Sequence, residues 1–165
     1  MENEVTQYLE EDHRRLERAL ERATADPGKI DGAAYAEFRG GLLRHIGMEE
    51  KILMPAAREA LHGRSLPAFE QMHLDHGALA ALLVPAPAPA IVEAIRAILA
   101  RHNTIEEGPR GVYCECEALP GFDSSVVLDR LKTAPQVAMA PHADSPAVWD
   151  SLRAALQRAG YDFEV

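Results

Sequence analysis

His45 and Glu49 stand four residues apart where an apolar series should continue. Phe38, Leu42, Ile52 and Ala56 mark that series at helical spacing, and the two polar residues fill its missing steps. On a helix, i and i+4 lie one above the other, so both side chains belong to the stripe that faces a core. A buried imidazole and a buried carboxylate are costly unless something pairs with them, and a metal ion satisfies both. A second pair, His102 and Glu106, repeats the spacing. Each pair is followed directly by another glutamate, Glu50 and Glu107.

The chain holds seven histidines. His13 fills the gap between Leu9 and Leu16 in a first helical stripe, and His102 continues Ile91, Ile95 and Ile98 in a later one. His73 and His76, at i and i+3, accompany Phe69, Met72, Leu79 and Leu83, so either or both can converge on a common point. One buried histidine is commonly a hydrogen-bonded core residue. One on each of four helices, with carboxylates on the second and fourth, is what a dinuclear metal site requires. Imidazole and carboxylate donors without a thiolate favour iron or manganese over a structural zinc. His62 and His142 fall at a helix end and in a loop and are read as solvated. Cys114 and Cys116 are too close in sequence for an unstrained disulfide and are read as reduced thiols. No nucleophile is paired with a base, so no catalytic residue is assigned.

These residues need helices to position them, and the composition supplies helices. Hydrophobic residues make up 47% of the 165 and aromatics only 5%, a balance rich in Ala and Leu. The spacing predicts helices over Glu2–Thr24, from an Asp31 cap to about Leu61, from Ser65 to Leu83, and from Ile91 to the second His–Glu pair. Pro55 should kink or loosen the second. Pro85 to Pro89 reads as a stiff spacer. Four amphipathic helices with short connections pack best as an up-and-down bundle. The expected fold is therefore all-α, with a four-helix bundle over residues 1–119 and a helical appendage over 120–165. In the appendage, Phe122 to Leu131 and Ser145 to Ala159 read as helices and Thr133 to Asp144 as a loop. A formal net charge of −9 argues against nucleic acid as a partner. No apolar run is long enough to span a membrane and no signal-peptide pattern is seen, so the expected location is cytoplasmic.

With these residues in view, the chain resembles the hemerythrin-like (HHE cation-binding) domain family over roughly residues 5–115. The resemblance rests on Asp12-His13, His45-x-x-x-Glu49-Glu50 with Ile52-Leu53-Met54-Pro55, Asp75-His76, and His102-x-x-x-Glu106-Glu107. It implies two non-haem iron ions, with His13, His45, His76 and His102 as ligands and Glu49 and Glu106 as bridging carboxylates. The family's oxygen carriers place their fourth-helix carboxylate five residues after its histidine, which would select Glu107; the i+4 geometry selects Glu106. They also carry a third-helix histidine pair at i and i+4, where this chain has His73 and His76. His73 is expected to point inward as a fifth histidine ligand. The implied function is binding of O2 or NO for sensing, storage or delivery. The alternative is an iron-handling or redox protein, whose di-iron centre is cargo or reacts with peroxide or nitric oxide.

Overall fold

Asp31 opens the second helix as its position requires, accepting the Ala34 amide at 2.9 Å. Ser145 and Asp123 do the same for two later helices, through the amides of Val148 and Val126. These contacts satisfy backbone donors that a helix start leaves without partners. The computed structural model describes residues 3–165, and no strand occurs among them. In chain order the helices are α1 (Glu4–Ala23), α2 (Gly32–Met48), α3 (Met54–Ala60), α4 (Phe69–Leu82), α5 (Pro89–Glu106), α6 (Val112–Glu117), α7 (Ser124–Lys132) and α8 (Pro146–Ala159). The fold is all-helical.

Between α2 and α3 lies a π-helical turn, Glu49–Leu53, so the three pieces run on without a loop. The cause is Pro55. It lacks an amide hydrogen, and its ring would press on the Lys51 carbonyl in a regular α-helix. Widening the turn relieves that contact, and the Met54 amide reaches back five residues to Glu49. The expected loosening is therefore present, displaced one turn towards the glutamates. α4 begins at Phe69 instead of Ser65, since Pro67 disfavours helical backbone at the residue before it. The fourth long helix ends at Glu106: Glu107 is extended, and Gly108 takes a φ of 83° that suits glycine.

Two apolar clusters form the interior. One joins Leu16 and Leu20 of α1 to Phe38 and Leu42 of α2, Leu79 and Leu82 of α4, Ile95 and Ile98 of α5, and Leu152 and Leu156 of α8. The other gathers Val5 and Leu9, Met48, Leu53 and Met54, Phe69 and Met72, Val112 and Tyr113, and Val127 and Leu131. In α1, α2 and α4 the histidine falls where the helix passes from one cluster to the other, and on α5 it follows the last residue of the first. A polar layer thus lies between two dry ones.

α1 packs along α2, and α4 along α5 and α8. At Gly41 a Cβ would collide with Leu16, so glycine sets how closely α1 and α2 approach. The loop after α7 is tied to α2 by two arginines. Arg44 Nε donates to the Ala134 carbonyl at 3.0 Å, and buried Arg39 donates to the carbonyls of Leu83 and Ala140, each at 2.8 Å.

Candidate metal centre

The polar layer is built from four imidazoles and two carboxylates. His13, His45, His76 and His102 are buried, and Glu49 and Glu106 have no exposed surface at all. One carboxylate oxygen of Glu49 lies 3.5 Å from His45 Nε2 and the other 3.0 Å from His76 Nε2. Glu106 repeats the pattern, 3.3 Å from His13 Nε2 and 2.7 Å from His102 Nε2. Each carboxylate therefore spans from one histidine pair to the other. Two groups of donors result: His13, His45, Glu49 and Glu106, and Glu49, His76, His102 and Glu106. Within each, the donor atoms lie within 4.8 Å of one another.

All four rings present Nε2 because each Nδ1 is already held. Asp12 accepts from His45 at 2.8 Å, Asp75 from His102 at 3.1 Å, Glu50 from His76 at 2.7 Å and Glu107 from His13 at 2.6 Å. With the proton fixed on Nδ1, Nε2 offers a lone pair. The Nε2 atoms of His76 and His102 then face each other at 3.2 Å. Glu49 Oε2 and Glu106 Oε1 are buried without a hydrogen bond, although Nε2 atoms are close by. Lone pairs and carboxylate oxygens converging in a dry place need positive charge between them. A cation fits this donor set.

Protonation shifts report the same need. Burial opposes a charged ring at His45, but the Glu49 charge and the Asp12 hydrogen bond outweigh it and raise the pKa to about 9. Burial likewise opposes His76 and His102, yet Glu49 and Glu50 lift the first to about 9, and Glu106 and Asp75 the second to about 10. Asp12 is pushed up by burial and pulled further down by His45 and Arg15, to about 2. The surroundings favour positive charge at the rings, which protons or a bound cation would supply.

His73 is placed differently from its expected position. Its side chain is 72% exposed, and its Nδ1 lies 3.0 Å from Glu50, outside both donor groups. The buried face of α4 runs through Phe69, Met72, Asp75, His76 and Leu79, and His73 is one residue, about 100° of rotation, past Met72. Glu107 also stays outside the donor groups, and Glu106 lies within both.

Sequence reasoning assigned no role to Asp12 and Asp75, and missed Tyr113 altogether. Tyr113 is fully buried on α6, with its hydroxyl among the donors of the first group. The signal available was an aromatic residue just beyond the Gly108–Gly111 break, close enough in sequence to fold back on Glu106. Cys116 is not a donor here, because burial pushes its thiol up to about 12.

Beside the centre a cavity of about 210 Å³ is lined by Leu16, Leu42, Leu79 and Leu99 and reaches His13, His45, Glu49 and His102. Arg96 and Glu17 also line it, and both are exposed.

An all-helical chain with two buried histidine–carboxylate groups of metal-ligating type defines a class of cation-binding helical domain. The family model for the hemerythrin HHE cation-binding domain matches residues 4–109, and the chain belongs to that family. No curated protein and no solved structure matches it. No helix among the described residues is long and apolar enough to cross a membrane.

Proposed function

We propose that this chain is a non-haem di-iron protein acting on O2 or NO, in which α1, α2 with its continuation, α4 and α5 form the family's up-and-down four-helix bundle. Residues 1–119 carry the centre, and residues 120–165 close over the bundle through α7 and α8. One observation carries the reading: Glu49 and Glu106 each turn one oxygen to each histidine pair, as bridging carboxylates do. His13 and His45 would hold one iron, and His76 and His102 the other. Ferrous iron bound there would supply electrons to O2 and a coordination position to NO.

The protein's own groups do the rest. Asp12, Asp75, Glu50 and Glu107 keep the four rings turned inward. The leucine-lined cavity favours a small apolar molecule over water and gives it a route to the centre. A specific observation also favours the redox reading over reversible carriage. With His73 exposed, four histidines instead of five would hold the metals, a smaller imidazole set that suits reaction or sensing better than reversible storage.

Anaerobic loading with ferrous iron, followed by metal analysis, should give two irons per chain. Stopped-flow mixing with O2 should then show oxidation without a long-lived oxygenated species. Iron near zero with the helices folded would reject the di-iron centre, and a stable, reversible oxygenated spectrum would restore the carrier.

A further inference from the structure

Tyr113 is the one polar side chain inside the first donor group that no pairing of histidine and carboxylate requires. Its hydroxyl lies 2.5 Å from Glu49 Oε1, 3.1 Å from Glu106 Oε2, 3.1 Å from His13 Nε2 and 3.4 Å from His45 Nε2. A phenol has a single proton to donate, and Glu49 takes it. Glu106 offers a second carboxylate oxygen, and the Nε2 atoms of His13 and His45 complete the ring of neighbours, their Nδ1 atoms already turned to Glu107 and Asp12. A hydroxyl oxygen gathered with two carboxylates and two ring nitrogens, away from water, stands where a ligand to a shared cation would stand.

The chain is also shaped to bring the hydroxyl there. α5 ends at Glu106, and the segment Glu107–Gly111 turns back so tightly that a Cβ on Gly111 would strike the carbonyls of Glu106 and Glu107. The Gly111 amide closes the turn on the Gly108 carbonyl at 3.0 Å. α6 then starts at Val112 and points Tyr113 back at the glutamate seven residues earlier. Among the described residues the second donor group has no counterpart. Tyr161 donates to Asp75 behind His102 and stays outside the donor atoms.

Resting on the di-iron reading above, we propose that Tyr113 is a fifth protein ligand, as a phenolate, to the iron held by His13 and His45. Coordination exchanges the phenol O–H bond for an oxygen–iron bond. The proton leaves to solvent, and no electron moves. The two irons are then unequal. The one beside Tyr113 gains a hard anionic donor that favours its ferric state, and the one held by His76 and His102 keeps the more open coordination shell.

The test is spectroscopic and needs no turnover. The ferric protein is loaded to constant iron content and examined by visible absorption and resonance Raman. Phenolate ligation gives a phenolate-to-iron charge-transfer band and enhanced phenolate ring modes. Wild type should show both, Tyr113→Phe should keep two irons and lose both, and Tyr161→Phe should retain them. If Tyr113→Phe does not fold, as judged by circular dichroism, the Tyr8→Phe, Tyr35→Phe and Tyr161→Phe proteins decide. Survival of the band in all three assigns it to Tyr113, and its loss in any one overturns the assignment. Two irons without the band, or a band that persists in Tyr113→Phe, overturns the ligand while leaving the di-iron centre standing. Iron near zero in wild type overturns both.

Discussion

A histidine binds a cation well when its second nitrogen is held by an acceptor, which fixes tautomer and ring angle together. Here each of the four rings has its own carboxylate, and these are the residues a spacing argument reads least well. Asp12 and His13 are adjacent, so their side chains diverge by about 100° on one helix; Asp12 serves His45 on α2 instead. Only the packing of α1 on α2 makes that visible. The second glutamate of each pair behaves alike, Glu50 turning to His76 and Glu107 to His13. Substitution should separate the roles. Glu49→Ala and Glu106→Ala should lose the metal pair, whereas Glu50→Ala and Glu107→Ala should keep two metals and lose roughly 10–100-fold in affinity. Titration calorimetry with metal analysis measures both. His73→Leu should leave the stoichiometry unchanged, since that ring is mostly in solvent. An i, i+3 partner looks convergent in sequence, but the stripe through Met72 and His76 already fills the buried face.

At the scale of elements, the four long helices were legible because their apolar periodicity, caps and stop signals agree. Asp31 and the Ser145-Pro146 pair mark their helix starts, and Gly160 ends α8 with a φ of 87°. What periodicity could not show was α6, whose six residues are too few to display a face. It is also the element that matters most to Tyr113. Gly111→Ala should therefore act at a distance from any ligand. Its added methyl must push against backbone carbonyls, which do not yield as a flexible side chain would. We expect a loss of about 1–3 kcal/mol in unfolding free energy, the usual cost of overpacking. In the iron-loaded protein the phenolate band should weaken in parallel. Denaturant melts and absorption on the same samples check both. The π-helical turn was legible only as a proline that had to disturb something.

For the whole molecule, part of the acidic excess read from composition gathers at the centre, where six carboxylates surround four imidazoles. Without metal, protons on the rings supply the balancing charge, and this fixes a pH dependence. His45, His76 and His102 are raised from 6.5 to between about 9 and about 10. Their contribution to stability is fully present below about pH 6.5 and is lost as pH rises through 9 to 10. At the other end, the pKa values of Glu50 and Glu107 are lowered by hydrogen bonds from His76 and His13, so their contribution fades as pH falls below the ordinary carboxylate range. Metal-free protein should thus lose stability steadily between pH 7 and 10, and iron-loaded protein should not. Melting curves of both forms across that range provide the comparison. Composition supplied the sign of the net charge; the gathering of these six carboxylates around the four rings needed the fold.

The exchange of orienting carboxylates also bears on symmetry. The hairpin of α1 and α2 lends Glu50 to the hairpin of α4 and α5, and receives Glu107 in return. Each supplies the same parts in the same order: Asp-His on one arm, then His-x-x-x-Glu-Glu on the other. The two halves are therefore related by an approximate twofold repeat of parts. The repeat is not exact: Tyr113 stands beside the first donor group, while Gln71 and Tyr161 stand behind Asp75 at the second. An exact repeat would have to treat two bound ions alike; this chain can treat its two positions differently.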